Sequence, residues 1–169
     1  MMAEAAMRES IVDASRLTRL FTAVLDFTSD SAADAVVPAE GRDGAYIGSG
    51  SGSVDGDHVR GTISWSLYAG NCLYPQIRKG EGVPDDLHLC TLNLGGFIET
   101  DAGVRLHFDG RGYGLRSRDW YRLSATLTFG TDAVEYRWLT NLLAVMEGDF
   151  DERAGRAVWH VYVPASVSR

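Results

Sequence analysis

Cysteine and proline are both scarce in this chain, which has two of the first and four of the second in 169 residues. Cys72 and Cys90 stand in no metal-type spacing. They read as free thiols in a reducing cytoplasm, with a disulfide between them as the weaker alternative. No apolar run approaches the length needed to cross a bilayer. The opening MMAEAAMRES carries acids and is followed by no apolar block, which argues against a secretory signal. Positive charge is short as well: 16 Lys and Arg against 23 Asp and Glu leave a formal charge of −7. Phosphate backbones demand a basic face, so nucleic acid is not expected as the main partner, and no membrane is expected either. Catalytic fingerprints are also missing. There is no P-loop and no G-x-S-x-G elbow, and GSGSG at 48–52 follows a strand pattern without leading into a helical one. His58, His88, His107 and His160 show no local metal-ligand spacing. The expectation is a cytoplasmic protein with no metal and no cofactor.

What is abundant is glycine, nineteen residues of it, together with alternation of apolar and polar side chains. Both point to β structure with tight turns and bulges. Residues 1–16 hold good helix formers and little else, so they read as a helical or disordered lead, and 17–169 as one domain. In RLTRLFTAVLDFT, Phe21, Ala23, Leu25 and Phe27 share one side. SDSAADAVVPAEGRDG is a loop by composition. AYIGSGSGSV and HVRGTISWSLY are separated by Asp55-Gly56-Asp57, a plausible hairpin turn, with Ile63, Trp65 and Leu67 on one face. AGNCLYPQIRKGEGVPDD is the longest irregular stretch and reads as a rim or lid. Strand patterns return in LHLCTLNLGGFIET, VRLHFDGRGYG and WYRLSATLTFG. TDAVEYRWLTN breaks the alternation: Asp132 could cap a short helix whose Val134, Trp138 and Leu139 face the core. LLAVMEGDFDE and RAVWHVYVPA, joined at Arg153-Ala154-Gly155, close the chain. About seven or eight antiparallel strands at regular spacing predict an all-β fold, a single barrel or a sandwich.

The stretch IETDAGVRLHFDGRGYG concentrates the ionisable residues. A three-residue loop, Asp101-Ala102-Gly103, with Gly103 left-handed, places Glu99 opposite Arg105, Ile98 opposite Leu106 and Phe97 opposite His107. Apolar then meets apolar, and Glu99 gains a cation across the ladder. One face reads Leu92, Leu94, Ile98, Leu106 and Phe108. The other reads Asn93, Phe97, Glu99, Arg105, His107, Asp109 and Arg111. Either that second face looks at solvent, as in most antiparallel sheets, or part of it lines a barrel mouth.

Three landmarks in this chain resemble an uncharacterised bacterial and fungal family, catalogued as domain of unknown function three-two-three-seven. They are a glycine-punctuated strand pair (Gly52, Gly56, Gly61), a T-D-x-G hairpin (Thr100, Asp101, Gly103), and a Tyr-x-Trp-Leu segment (Tyr136, Trp138, Leu139, Asn141) before a closing strand pair. The likeness runs from about residue 17 to the end. It departs at Ala102, where a second aspartate is common, and at Thr140, inserted before Asn141. The resemblance implies a compact antiparallel, calycin-like barrel of the ligand-holding kind and no settled activity.

Acid–base work in a pocket is the chemistry these residues could carry. His107 with Asp109 or Glu99 could move a proton, Arg105 or Arg111 could steady a developing oxyanion, and Glu147 is a further carboxylate candidate. Such groups suit isomerisation, cyclisation or dehydration of an apolar oxygenated molecule, without a cofactor. Trp65, Phe97, Tyr113, Trp138 and Tyr68 are the candidate substrate-binding aromatics, and Trp159, like the others, could floor a pocket. His160 reads as a packed histidine with a satisfied hydrogen bond. The alternatives are a non-catalytic small-molecule carrier and a structural dimer module built on an edge strand. A homodimer is plausible on the glycine-rich strands.

Overall fold

The computed structural model describes residues 17–28, 44–72, 87–117, 120–151 and 153–165. The expected N-terminal lead, the loop at 29–43 and most of the rim segment lie outside the described residues. Eight antiparallel strands follow one another around a closed barrel. They are β1 (Leu17–Phe27), β2 (Gly44–Asp55), β3 (Gly61–Cys72), β4 (Leu87–Thr100), β5 (Arg105–Ser117), β6 (Trp120–Gly130), β7 (Ala144–Asp151) and β8 (Arg156–Pro164). A 3₁₀ segment, Val134–Asn141, joins β6 to β7. β1 pairs with β8 and completes the circle, so the described wall has no edge strand left for pairing with a second copy.

Alternation along each strand becomes inside and outside. On β6 every second residue, Tyr121 to Phe129, is buried and its neighbours are exposed; β7 and β8 repeat the pattern. The four inward positions expected on β1 hold, and one residue joins them. A register shift between Arg19 and Phe21 lets consecutive Leu20 and Phe21 both turn inward, as a bulge permits.

The 92–111 hairpin adopts the expected register. Glu99 pairs with Arg105, Ile98 with Leu106, Phe97 with His107 and Gly95 with Asp109. Gly103 sits at φ 79°, the left-handed position of the loop. Thr100 is the one buried polar residue among the described ones. Its hydroxyl accepts a hydrogen bond from the Val104 N–H (3.1 Å), and its carbonyl accepts one from the Gly103 N–H (2.7 Å).

One end of the barrel is filled by its own connections. The turn between β2 and β3 runs over residues 56–60 rather than the three expected, and Val59 within it is fully buried. The Arg60 carbonyl accepts from the Asp101 N–H at 2.9 Å, tying this turn to the β4–β5 hairpin. The 3₁₀ segment contributes fully buried Leu139, with Tyr136, Trp138 and Leu142 packed against the core. Two details of the helix expectation change. Asp132 does not cap it, because Ala133 holds the N-cap position and makes no side-chain cap. Val134 faces out, 71% exposed.

Two glycine substitutions separate two constraints. Gly103→Ala places no atom near another, so its cost is backbone strain alone, about 1–2 kcal/mol. Gly112→Ala drives a Cβ into the Ser124 carbonyl oxygen and the Ala125 Cα of the neighbouring strand, and should cost about 3 kcal/mol or more. Urea unfolding of both variants should show the second loss clearly larger.

Candidate functional site

The end of the barrel opposite the filled one holds a slot between side chains. Trp65 and Leu67 of β3 face Ala157 and Trp159 of β8, with Leu25 and Phe27 of β1 beside them. Leu92 of β4, Tyr121 and Leu123 of β6 and Phe150 of β7 complete the lining, around a cavity of only about 20 Å³. That is room for about one water, far below the range of small-molecule pockets, although an eight-stranded barrel has the girth to hold one small ligand if its side chains part. The space is narrow and partly open, so a ring-bearing guest has to push side chains aside. The lining exposes carbon only.

Aromatic rings define the slot. Phe27 meets Trp65 edge-on at 4.4 Å between centroids and Phe150 at 4.4 Å with a 30° tilt. Phe150 continues to Tyr121 at 5.4 Å, and Trp65 stands 6.4 Å from Trp159. Each indole lies over a glycine on the next strand. Trp65 pairs with Gly50 and Trp159 with Gly148 in the ladders. A Cβ at either glycine would come within 3.0 Å of Trp65 Cζ2 or 2.8 Å of Trp159 Cδ1. The small residues leave the width that the two indoles occupy.

The six residues expected to carry acid–base chemistry stand elsewhere. Glu99, Arg105, His107, Asp109, Arg111 and Glu147 are all exposed on the outer face. An inward turn of the polar side of this hairpin would have put its alternate partners, Leu94, Ile98, Leu106 and Phe108, into water. Burying those four is worth about 1.5–3 kcal/mol each, and they are the ones buried. On the outside the charged residues pair along the ladders. Arg111 contacts Asp109 at 2.8 Å and Arg105 contacts Glu99 at 3.7 Å, in water-exposed pairs. Glu147 is on β7, in register with Ser124 and His160, away from the hairpin.

The aromatic candidates divide. Trp65 lines the slot. Tyr68, Phe97 and Tyr113 are exposed outside, and Trp138 is half-buried at the filled end, edge-on to His58 at 6.1 Å. Phe97, odd among polar neighbours, packs against the His107 ring at 5.1 Å and under the Arg105 guanidinium at 5.2 Å. It forms a surface cation–π cluster. His160 is half-buried, and its Nδ1 lies 3.1 Å from the Thr22 hydroxyl.

Ionisable groups do gather in two shallow outer grooves. One, of about 630 Å³, is lined by Arg105, His107 and Asp132 with the backbone around Gly130. The other, of about 380 Å³ at the filled end, is lined by Asp57, His58, Arg60, Asp101 and Tyr136. Among the described residues no three of His, Cys, Asp or Glu converge as a metal site, and no helix is long and apolar enough to cross a membrane. Sequence reasoning named Trp65 and Trp159 for the interior but missed that Leu25, Leu67, Leu92, Leu123 and Ala157 bound the same space. They lie at different depths in five different strands, so no position along the chain marks them as a group.

No family model and no curated protein sequence matches this chain. Solved structures share its fold. A protein of unknown function from Clostridium acetobutylicum aligns over 88% of this chain and 98% of its own, at 16% identity and TM-score 0.62. A conserved protein of unknown function from Rhodopseudomonas palustris aligns over 87% and 95%, at 18% identity and TM-score 0.63. An enzyme from Penicillium herquei aligns over 86% and 92%, at 15% identity and TM-score 0.50. At such identities the likeness is one of architecture.

The outer ion pairs should contribute little to stability. Asp109 and Arg111 are more than half exposed, so a double-mutant cycle on them should give a coupling below about 1 kcal/mol, shrinking further as salt is added.

Proposed function

We propose that this barrel binds a small, neutral, largely apolar molecule in the slot between Trp65 and Trp159. The observation that carries the reading is the sorting of side chains. Among the described residues no charged side chain is buried, while an uncharged slot opens at one end of a wall whose other end is filled. A guest there exchanges water for carbon on most of its surface, which is the dominant source of affinity for such ligands. The resemblance to a ligand-holding barrel family supports the same reading. Its landmark residues Thr100, Asp101, Tyr136, Trp138 and Leu139 gather at the filled end, where they build the stopper rather than the slot.

An enzyme performing isomerisation, cyclisation or dehydration is the second reading. Its support is the groove at the filled end, where Asp57, His58, Arg60, Asp101 and Tyr136 bring acid, base and cation together. That groove is shallow and open to water, which screens charges and weakens the acid–base chemistry it would host. Arg60 is engaged there with Asp55 at 2.9 Å. In the slot itself, Tyr121 is the one described lining residue able to give or take a proton. Binding is therefore the reading the geometry favours.

Titration with the neutral fluorescent probe N-phenyl-1-naphthylamine tests it. One equivalent should bind with an emission increase, and Ala157→Leu, which fills the slot, should weaken binding by about tenfold or more. His107→Ala and Glu147→Gln, on the outer face, should leave it unchanged. Loss of binding in those two, with Ala157→Leu binding normally and folded by near-UV circular dichroism, would sink the proposal.

A further inference from the structure

Beside the slot stand two buried hydrogen-bond donors that nothing among the described residues answers. Trp65 is 4% exposed and Trp159 3% exposed. Nε1 of each is buried and has no hydrogen-bond partner among the described residues. An indole N–H can only donate, and nearly all buried polar groups in folded proteins are paired, so two orphans on facing rings 6.4 Å apart need a cause. Packing alone does not supply one. Phenylalanine would place apolar area at either position without stranding a donor. Trp120 and Trp138, in contrast, reach the surface.

We propose that Trp65 and Trp159 are the polar anchors of the slot, and that its ligand is a neutral ring-bearing compound carrying a carbonyl oxygen. This deepens the binding reading above and rests on it. The carbonyl accepts a hydrogen bond from one indole or both, and its carbon skeleton packs on Leu25, Leu67, Leu123 and Phe150. An anionic guest is disfavoured, because none of the described cationic side chains is inside the barrel to pair with it. Water is no better placed, since the surface of the slot is carbon only and offers a water no polar partner. As the slot stands, neither nitrogen is at its surface. A ring that enters has to displace Trp65 or Trp159, and anchoring requires that this displacement turn an N–H towards the guest. Few precisely placed polar groups in a greasy pocket is how such sites gain selectivity.

Two probes of the same ring and nearly the same size decide the matter, 2-acetylnaphthalene and 2-ethylnaphthalene. Affinities are measured by calorimetry on the wild-type chain and on Trp65→Phe and Trp159→Phe. At least one substitution should weaken the ketone about five- to tenfold and leave the hydrocarbon within about twofold. In ¹⁵N-labelled wild-type protein, the indole N–H resonance of Trp65 or Trp159 should move downfield with the ketone and not with the hydrocarbon. This readout stands even if a variant fails to fold. If both probes lose affinity equally in the variants, or move the indole resonances alike, the tryptophans are only an apolar wall and the anchor proposal is overturned. If neither probe binds the wild-type protein, the binding reading itself falls, and the anchors with it.

Discussion

The ladder between β1 and β8 closes the wall, and closure turns the period of two along each strand into a division between inside and outside. In an open sheet, a strand with one charged and one apolar face can be served by solvent on one side and a neighbouring layer on the other. In a closed barrel of eight strands the apolar faces must fill a single narrow column. Every inward residue then competes for the same space, which is why β2 and β5 contribute glycines where β1, β3, β6 and β8 contribute leucine, phenylalanine and tryptophan. Gly110 is inward-facing beside Leu94 and Leu127, and Gly112 beside Ala125.

The two ends of that column are finished differently. At one, the connections themselves are hydrophobic plugs: Val59, Val104 and Leu139 lie against the core, and a hydrogen bond from the Asp101 N–H to the Arg60 carbonyl ties the 56–60 and 101–104 turns together. At the other, the inward side chains meet as rings inclined at 30° to 75° to one another, and rings at such mixed angles leave a small gap. The slot is a consequence of packing aromatic shapes in a column where the neighbouring wall is glycine. The indole N–H groups are buried in the same place, so the features that a ligand would use coincide. This coincidence, and not the volume of the gap, is what supports a binding end.

The outside of the wall is built for water. Arg122 with Asp149 and Arg156 with Asp26 pair across adjacent strands, as Arg105 does with Glu99. Threonine hydroxyls of β6 donate to β5 carbonyls at Asp109 and Arg111. A barrel facing lipid shows the reverse pattern, with an apolar belt outward and polar groups inward. The density of ionisable residues in the 99–111 stretch, which suggests chemistry when read along the chain, is in three dimensions the solvated side of two long strands. Its one large apolar member, Phe97, is held there by a guanidinium and an imidazole rather than by a ligand.

The sequence by itself determined the parts of this protein that depend on neighbours along the chain. The limits of β4 and β6, the left-handed Gly103, the pairing of Glu99 with Arg105 and the sharing of one face by Leu94, Ile98, Leu106 and Phe108 all follow from local alternation and turn chemistry. Tertiary structure alone decided which face was turned inward, because alternation is symmetric between a solvent-facing and a lumen-facing reading until the wall closes. It also decided the slot, whose lining comes from six of the eight strands and whose width depends on Gly50 and Gly148 lying across the ladders from Trp65 and Trp159. No local pattern encodes a gap between residues more than a hundred positions apart; it exists only once the column is packed.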